Sequence, residues 1–313
     1  MSPLRSPQLS TTLITFGDQA PSWEHILATA EAADRAGVDR LLVSDHLAFG
    51  EQLDDYSRPE LGGTAGGRQP TGPDGHWLEP LTVLTAVAAV TDRVRLGTNI
   101  LLAALRNPLA LAKTLATLDV ISNGRVDLGV GVGWQRAECE AAGVPFERRG
   151  QQLDHTLAVM ATLWRDRVAE FEDDLLSFRR LHAMPKPLQP GGVPVWVGGS
   201  ANPRVAKRIA RFGVGWIPWG ESAADVVESI PQMRVLVESV GGRFDDLQIA
   251  SSIRRIASDS GAVDLAATME QVPRLVEAGV TDIRLTLPAH GGTHAIEERY
   301  REAVLAFRAV TDG

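Results

Sequence analysis

Three short segments of this 313-residue chain carry side chains that could do chemistry. Val43-Ser44-Asp45-His46 sets a carboxylate beside an imidazole. Either can exchange protons, and histidine does so near neutral pH. The plainer alternative is that Asp45 caps a turn and His46 is structural. Leu96-Gly97-Thr98-Asn99-Ile100 follows a glycine with two small polar residues, which lets a flat ligand come close. On its own it reads first as a strand running into a loop. Gly198-Gly199-Ser200 leads into Asn202-Pro203 and a helix bearing Arg204, Lys207 and Arg208. Free N–H groups at a helix start bared by glycines make an anion site, and a phosphate-bearing ligand suits it. The alternative is a glycine turn with no ligand.

Tryptophan is unevenly placed. Trp77, Trp134, Trp216 and Trp219 all fall near the ends of expected strands. Several indoles at one mouth would suit a planar or bulky ligand. Other chemistries find little support. Gly129-Val130-Gly131-Val132-Gly133-Trp134 is half a dinucleotide fingerprint, with Trp134 where the third glycine is needed. Gly198-Gly199-Ser200-Ala201-Asn202 lacks the second glycine of a hydrolase nucleophile elbow. His290 and His294 are four apart but separated by two glycines, so no metal site is expected. Cys139 is expected to pack as a small apolar residue in a helix, and a lone cysteine forms no internal disulfide.

The elements that must position these segments follow from a repeated pattern. In 32–44, 209–219 and 275–287 a helical stretch ends at a glycine (Gly37, Gly213, Gly279) and a short apolar strand follows. Glycine there suits a left-handed helix cap. Eight strands are expected near 11–16, 40–44, 94–100, 126–131, 193–197, 214–218, 247–253 and 281–287. Helices start at Pro80, with Leu81, Leu84 and Ala88 on one face, and at Asn107-Pro108 and Asn202-Pro203. Pro231 and Pro273 are expected to kink or divide helices. Eight strands alternating with helices predict one (β/α)8 TIM barrel spanning 1–313, with active-site residues at the strand C-termini. A doubly wound sheet would show a glycine-rich loop after its first strand, and ITFGDQAPS is not one. Insertions interrupt the repeat after strands 2 and 4. Residues 48–77, rich in glycine and proline, leave the catalytic end of strand 2 and are expected to form a lid. Residues 166–192 hold an acidic EFEDD run, expected to be solvated surface, and an extended MPKPLQPGG stretch.

Composition narrows the class. Hydrophobic residues are 44% and charged residues 22%, as in ordinary globular proteins. The net charge of −8 argues against a general nucleic-acid binder. No apolar run is long enough to span a membrane, and the polar start MSPLRSPQLS has no signal-peptide core. A cytoplasmic protein acting on a small molecule is expected.

Taken together, VSDHL (43–47), WLEPLTVL (77–84), RLGTNIL (95–101), the run 106–134 and VPVWVGGS (193–200) resemble the bacterial luciferase-like family of flavin and deazaflavin oxidoreductases. The branch that uses the deazaflavin coenzyme F420 is the most similar. The resemblance implies a luciferase-like barrel, a homodimer, and a cofactor ring at the strand C-termini. It puts Asp45 and His46 beside the ring's reactive edge, with His46 exchanging the proton and Asp45 aiding it. It implies a non-prolyl cis peptide at Asn99–Ile100, with Thr98, Asn99 and Ile100 against the ring. Gly198, Gly199 and Ser200 would hold the phosphate, and Trp77, Trp134 and Trp219 would line the substrate pocket. Sugar-phosphate dehydrogenases of the family carry a glutamate where this chain has Trp134, which points to a bulkier, less polar substrate. FMN with a partner reductase and oxygen is the alternative chemistry, and a catalytically silent cofactor-binding protein is the alternative from another class.

Overall fold

The computed structural model describes residues 6–19, 22–259 and 261–312. The start of the polar N-terminal stretch, residues 1–5, lies outside them. Eight parallel strands close into a barrel: β1 (Gln8–Thr12), β2 (Arg40–Val43), β3 (Arg95–Thr98), β4 (Val126–Val130), β5 (Val195–Gly199), β6 (Gly213–Pro218), β7 (Gln248–Ser252) and β8 (Asp282–Arg284). Their order round the barrel is their order in the chain, and β8 pairs with β1 to close it. The expected (β/α)8 barrel is the observed fold. Its strands are largely buried on both faces, and they enclose polar residues such as Ser10, Arg40, Asp127, Asp282 and Arg284 as well as apolar ones.

The main helices are α1 (Trp23–Ala36), α2 (Pro80–Val90), α3 (Pro108–Ile121), α4 (Arg136–Ala141), α5 (Arg149–Arg165), α6 (Pro203–Phe212), α7 (Val226–Ser239) and α8 (Thr293–Thr311). Proline at the first position after an asparagine cap marks two starts. The Asn107 side chain accepts from the amides of Leu109 and Ala110, and Asn202 from those of Arg204 and Val205. Leu81, Leu84 and Ala88 of α2 are buried together.

Two expectations change. The first strand lies at 8–12, not 11–16. The run TTLITF straddles its end, and Phe16–Gly17 instead pairs antiparallel with His76–Trp77. Gly37 and Gly279 are left-handed, at φ of 90° and 103°, but Gly213 is extended at −87°. It passes straight from α6 into β6, and its lack of a side chain serves close approach to Ile209. As expected, Pro273 divides a helical stretch, opening Val272–Glu277 after Leu265–Met269, and Pro231 lies within α7. Ahead of the MPKPLQPGG stretch, Ala169–Glu172 and Ser177–Leu181 form an antiparallel hairpin that the sequence did not announce. Among the described residues no helix is long and apolar enough to cross a membrane.

Candidate active site

The C-terminal ends of β2, β3, β4 and β5 deliver the side chains singled out above to one rim. His46 follows β2 and is almost wholly enclosed. Its ring lies 4.4 Å from Phe49, 4.8 Å from Trp77 and 6.0 Å from Trp134, centroid to centroid. Its Nδ1 is 3.0 Å from Oε2 of Glu138 on α4. The other oxygen of Glu138 accepts from the amides of Leu47 at 2.6 Å and Ala48 at 3.4 Å. The carboxylate is buried, so these bonds compensate its lost hydration. Holding Nδ1 against a carboxylate places the neutral imidazole's proton there and leaves Nε2 as the free nitrogen.

The expected partnership between Asp45 and His46 is not what the structure shows. Neighbours at the end of an extended strand point to opposite sides. Asp45 turns inward, where its carboxylate takes both Nη atoms of Arg106 at 2.6 and 3.0 Å and the Leu102 amide at 2.8 Å. Arg106 also reaches Glu79 at 3.1 Å. Burial opposes the guanidinium charge, but bonds to Asp45 and then Glu79 outweigh it and raise the Arg106 pKa. Asp45 thus ties the end of β2 to the loop after β3, and Glu138 is the acid that meets His46.

The other residues divide in the same way. Thr98 spends its hydroxyl on the Gly129 carbonyl at 2.7 Å. The Asn99–Ile100 peptide is cis and non-prolyl, as expected. Asn99 accepts at Oδ1 from Arg284 of β8 at 2.7 Å. The Ile100 side chain lies against two glycines: a Cβ on Gly131 would stand 2.7 Å from its Cδ1, and one on Gly198 3.1 Å from its Cγ2. Those glycines therefore make room for Ile100 as well as baring the rim. Ser200 is exposed after β5, near Gly199, whose carbonyl accepts from Trp216 Nε1 at 2.8 Å. The start of α6 is less open to an anion than its sequence implies. The amides of Arg204 and Val205 are already taken by the Asn202 side chain, and Arg208 is buried against Asp154 at 2.6 Å. The Ser200 hydroxyl, Arg204 and Lys207 remain exposed at or beside the glycine turn.

Three indoles meet at the mouth, each differently. Trp77 stacks on Phe16 at 4.2 Å and donates to Thr71 at 3.1 Å. Trp134 is buried with its Nε1 unpartnered. Trp219 donates to the carbonyls of Gly62 and Gly63 at 2.9 and 3.2 Å. Trp216 belongs to the core instead. Segment 48–77 lies down over the rim. Tyr56 touches Trp134 and Trp219, Gly50 donates to Gln135 at 2.8 Å, and Arg149 donates to Leu61 at 2.9 Å.

Sequence reasoning missed Glu138, Arg106 and Arg284. A signal existed for Glu138. Gln135, Glu138 and Cys139 fall at the i, i+3, i+4 spacing of one helix face, and Cys139 already marked that face as inward. Arg106 and Arg284 had no comparable local signal.

Residues 7–305 match the family described as luciferase-like monooxygenase. The chain belongs to that family. An uncharacterized protein of Mycobacterium tuberculosis is 35% identical over 211 residues, 67% of this chain and 70% of that one. An F420-dependent glucose-6-phosphate dehydrogenase of Kineococcus radiotolerans is 30% identical over 218 residues, 68% of this chain and 58% of the relative. Among solved structures, an F420-dependent secondary alcohol dehydrogenase in complex with an F420-acetone adduct superposes with a TM-score of 0.74 at 19% identity, covering 97% of this chain and 99% of that one. At that identity the likeness concerns the luciferase-like barrel fold.

Proposed function

We propose that this protein is an F420-dependent oxidoreductase that moves a hydride between the deazaflavin and a bulky, weakly polar organic substrate. The observation that carries the reading is His46, held through Nδ1 by buried Glu138 under an aromatic wall, in a chain similar to F420-dependent enzymes. The residues fit the cofactor. Asn99 and Ser200 offer polar groups for a ring edge and a phosphate, Arg204 and Lys207 add charge, and Trp134 keeps an unpartnered buried donor under the lid. When bound, F420 supplies a hydride carrier that reacts poorly with oxygen, because carbon replaces nitrogen at position 5 of the ring.

The chain's own part is placement, proton handling and exclusion of water. His46 Nε2 exchanges the proton that accompanies hydride transfer, and Glu138 keeps the ring in one tautomer and orientation. Phe49, Trp77 and Trp134 close His46 off from solvent. Trp134 fills the position of the sugar-phosphate dehydrogenases' glutamate with an indole, which favours an apolar substrate. FMN-dependent oxygenation is the second reading, favoured by the monooxygenase description of the family. The test is anaerobic turnover of ketones and enones with reduced F420. Turnover without oxygen that is lost in His46→Ala supports the proposal. An absolute requirement for oxygen and FMN moves the assignment to the monooxygenase. A His46→Ala variant that keeps cofactor binding and loses no activity supports a silent binding protein.

A further inference from the structure

The barrel interior holds a chain of ion pairs that ends at Asn99. Arg95 and Arg40 both pair with Asp127, at 2.6 and 2.8 Å. Arg40 also pairs with Asp282, which takes the Ser10 hydroxyl at 2.6 Å and Arg284 Nε at 3.1 Å. Three arginines thus share two aspartates, and the chain carries one surplus positive charge. Arg284 stands at the end of this chain nearest the rim. It shares Asp282 with Arg40, and its Nη1 donates to Asn99 Oδ1.

That bond settles which way the Asn99 amide faces. A guanidinium only donates, so the carbonyl oxygen of Asn99 must face Arg284 and its NH2 must face away. Among the described residues no acceptor meets that Nδ2, and it is not one of the sealed unpartnered atoms of the interior. Asn99 is half-buried, at the C-terminal end of β3.

We propose that Arg284 is a positioning residue that aims the Asn99 amide into the site as a fixed donor to the carbonyl- and nitrogen-bearing edge of a flat pyrimidinedione ring, and that the surplus charge of the ion-pair network it ends favours the ring's reduced, anionic form. The inference rests on the cofactor reading above but applies to F420 and FMN alike, since both carry that edge. Charge-assisted bonding to Oδ1 polarises the amide and strengthens the bond its Nδ2 donates. A buried guanidinium that shares its one carboxylate with a second arginine stabilises an anion nearby far more than one in water would.

The experiment measures the affinity of purified wild type, Asn99→Asp, Arg284→Lys and Arg284→Gln for oxidised and reduced F420 and FMN, together with melting temperatures. Asn99→Asp should fold well, because its carboxylate pairs with Arg284. It presents an acceptor where a donor is needed, so binding of either cofactor should fall at least tenfold. Arg284→Gln should weaken the reduced form about tenfold more than the oxidised form, a fall of about 30 mV in the bound two-electron potential, with Arg284→Lys recovering part of it. Wild-type affinity in Asn99→Asp, or equal loss of both redox forms in Arg284→Gln, overturns the inference. Wild type that binds FMN alone, with both effects intact, overturns the F420 reading and leaves this one standing. Wild type that binds neither cofactor overturns both.

Discussion

Segment 48–77 is a run of short turns tied to the rim by side chains, whereas segment 166–192 contains a strand ladder of its own. In the first, carbonyls of Leu61, Gly62 and Gly63 accept from Arg149 and Trp219, and the only ladder is the two-residue pairing of His76–Trp77 with Phe16–Gly17. In the second, the hairpin closes its own hydrogen bonds. Phe171 lies 5.9 Å from Phe178, and His155 of α5 meets Asp173 at 2.5 Å. A segment of short turns tethered by a few side-chain bonds opens locally at lower cost than one closed by a ladder. The contrast fits their places: the first covers His46, and the second packs outside the barrel on α5.

The largest test of the contrast lies under the lid. His46→Ala should lower kcat/KM by about 100-fold or more, the usual contribution of a general acid or base, with the melting temperature almost unchanged. Glu138→Gln should lose less rate than His46→Ala, because the imidazole keeps its place but loses the carboxylate that fixes its tautomer.

Next in size is a stability effect confined to the other side. Phe178→Ala in the hairpin should cost about 1–3 kcal/mol, below the range for a fully buried Phe, and leave kcat/KM at the wild-type value. A loss of turnover there would break the comparison.

How much of this was legible in the sequence differs between scaffold and site. Seven of the eight strands fall within a few residues of expectation, because most carry a short apolar centre, such as Leu41–Val43 or Val195–Val197, near a glycine. The first misled because TTLITF is continuous in composition while only its beginning belongs to the barrel. Asp45 and His46 were found as a pair because they are adjacent in sequence. Their real partners are not adjacent: Glu138 is 92 residues from His46, Arg106 is 61 from Asp45, and Arg284 is 185 from Asn99. Barrel closure brings these together, and no local spacing encodes them. The hairpin was hidden by the acidic residues at its turn, which read as solvated surface, and they are exposed.

A smaller effect should appear at the latch. Trp219→Phe removes one N–H from the Gly62 and Gly63 carbonyls, a loss of about 1 kcal/mol. Amides in 50–64 should exchange about fivefold faster, as hydrogen exchange with mass spectrometry would show, while the hairpin is unaffected. Saturation with cofactor and substrate should restore protection in 50–64. Equal protection with and without ligands would make that segment an ordinary surface loop.

The smallest effect is one of pH. Burial opposes ionisation of Asp173, but the His155 contact and the amides of Leu175 and Leu176 outweigh it and lower its pKa. Because the folded value is depressed, the hairpin's extra stability is fully present above the ordinary aspartate range near 3.9 and is lost as pH falls through the lower folded value. Asp173→Asn should flatten that acid limb and leave turnover at neutral pH alone.

The central claim, that this rim holds a deazaflavin beside His46, is tested most directly by anaerobic fluorescence titration of the purified protein with F420 and with FMN. The account predicts F420 binding at micromolar affinity or tighter, about −8 kcal/mol or better, and weaker binding of FMN. Tight FMN binding with none for F420 would contradict it.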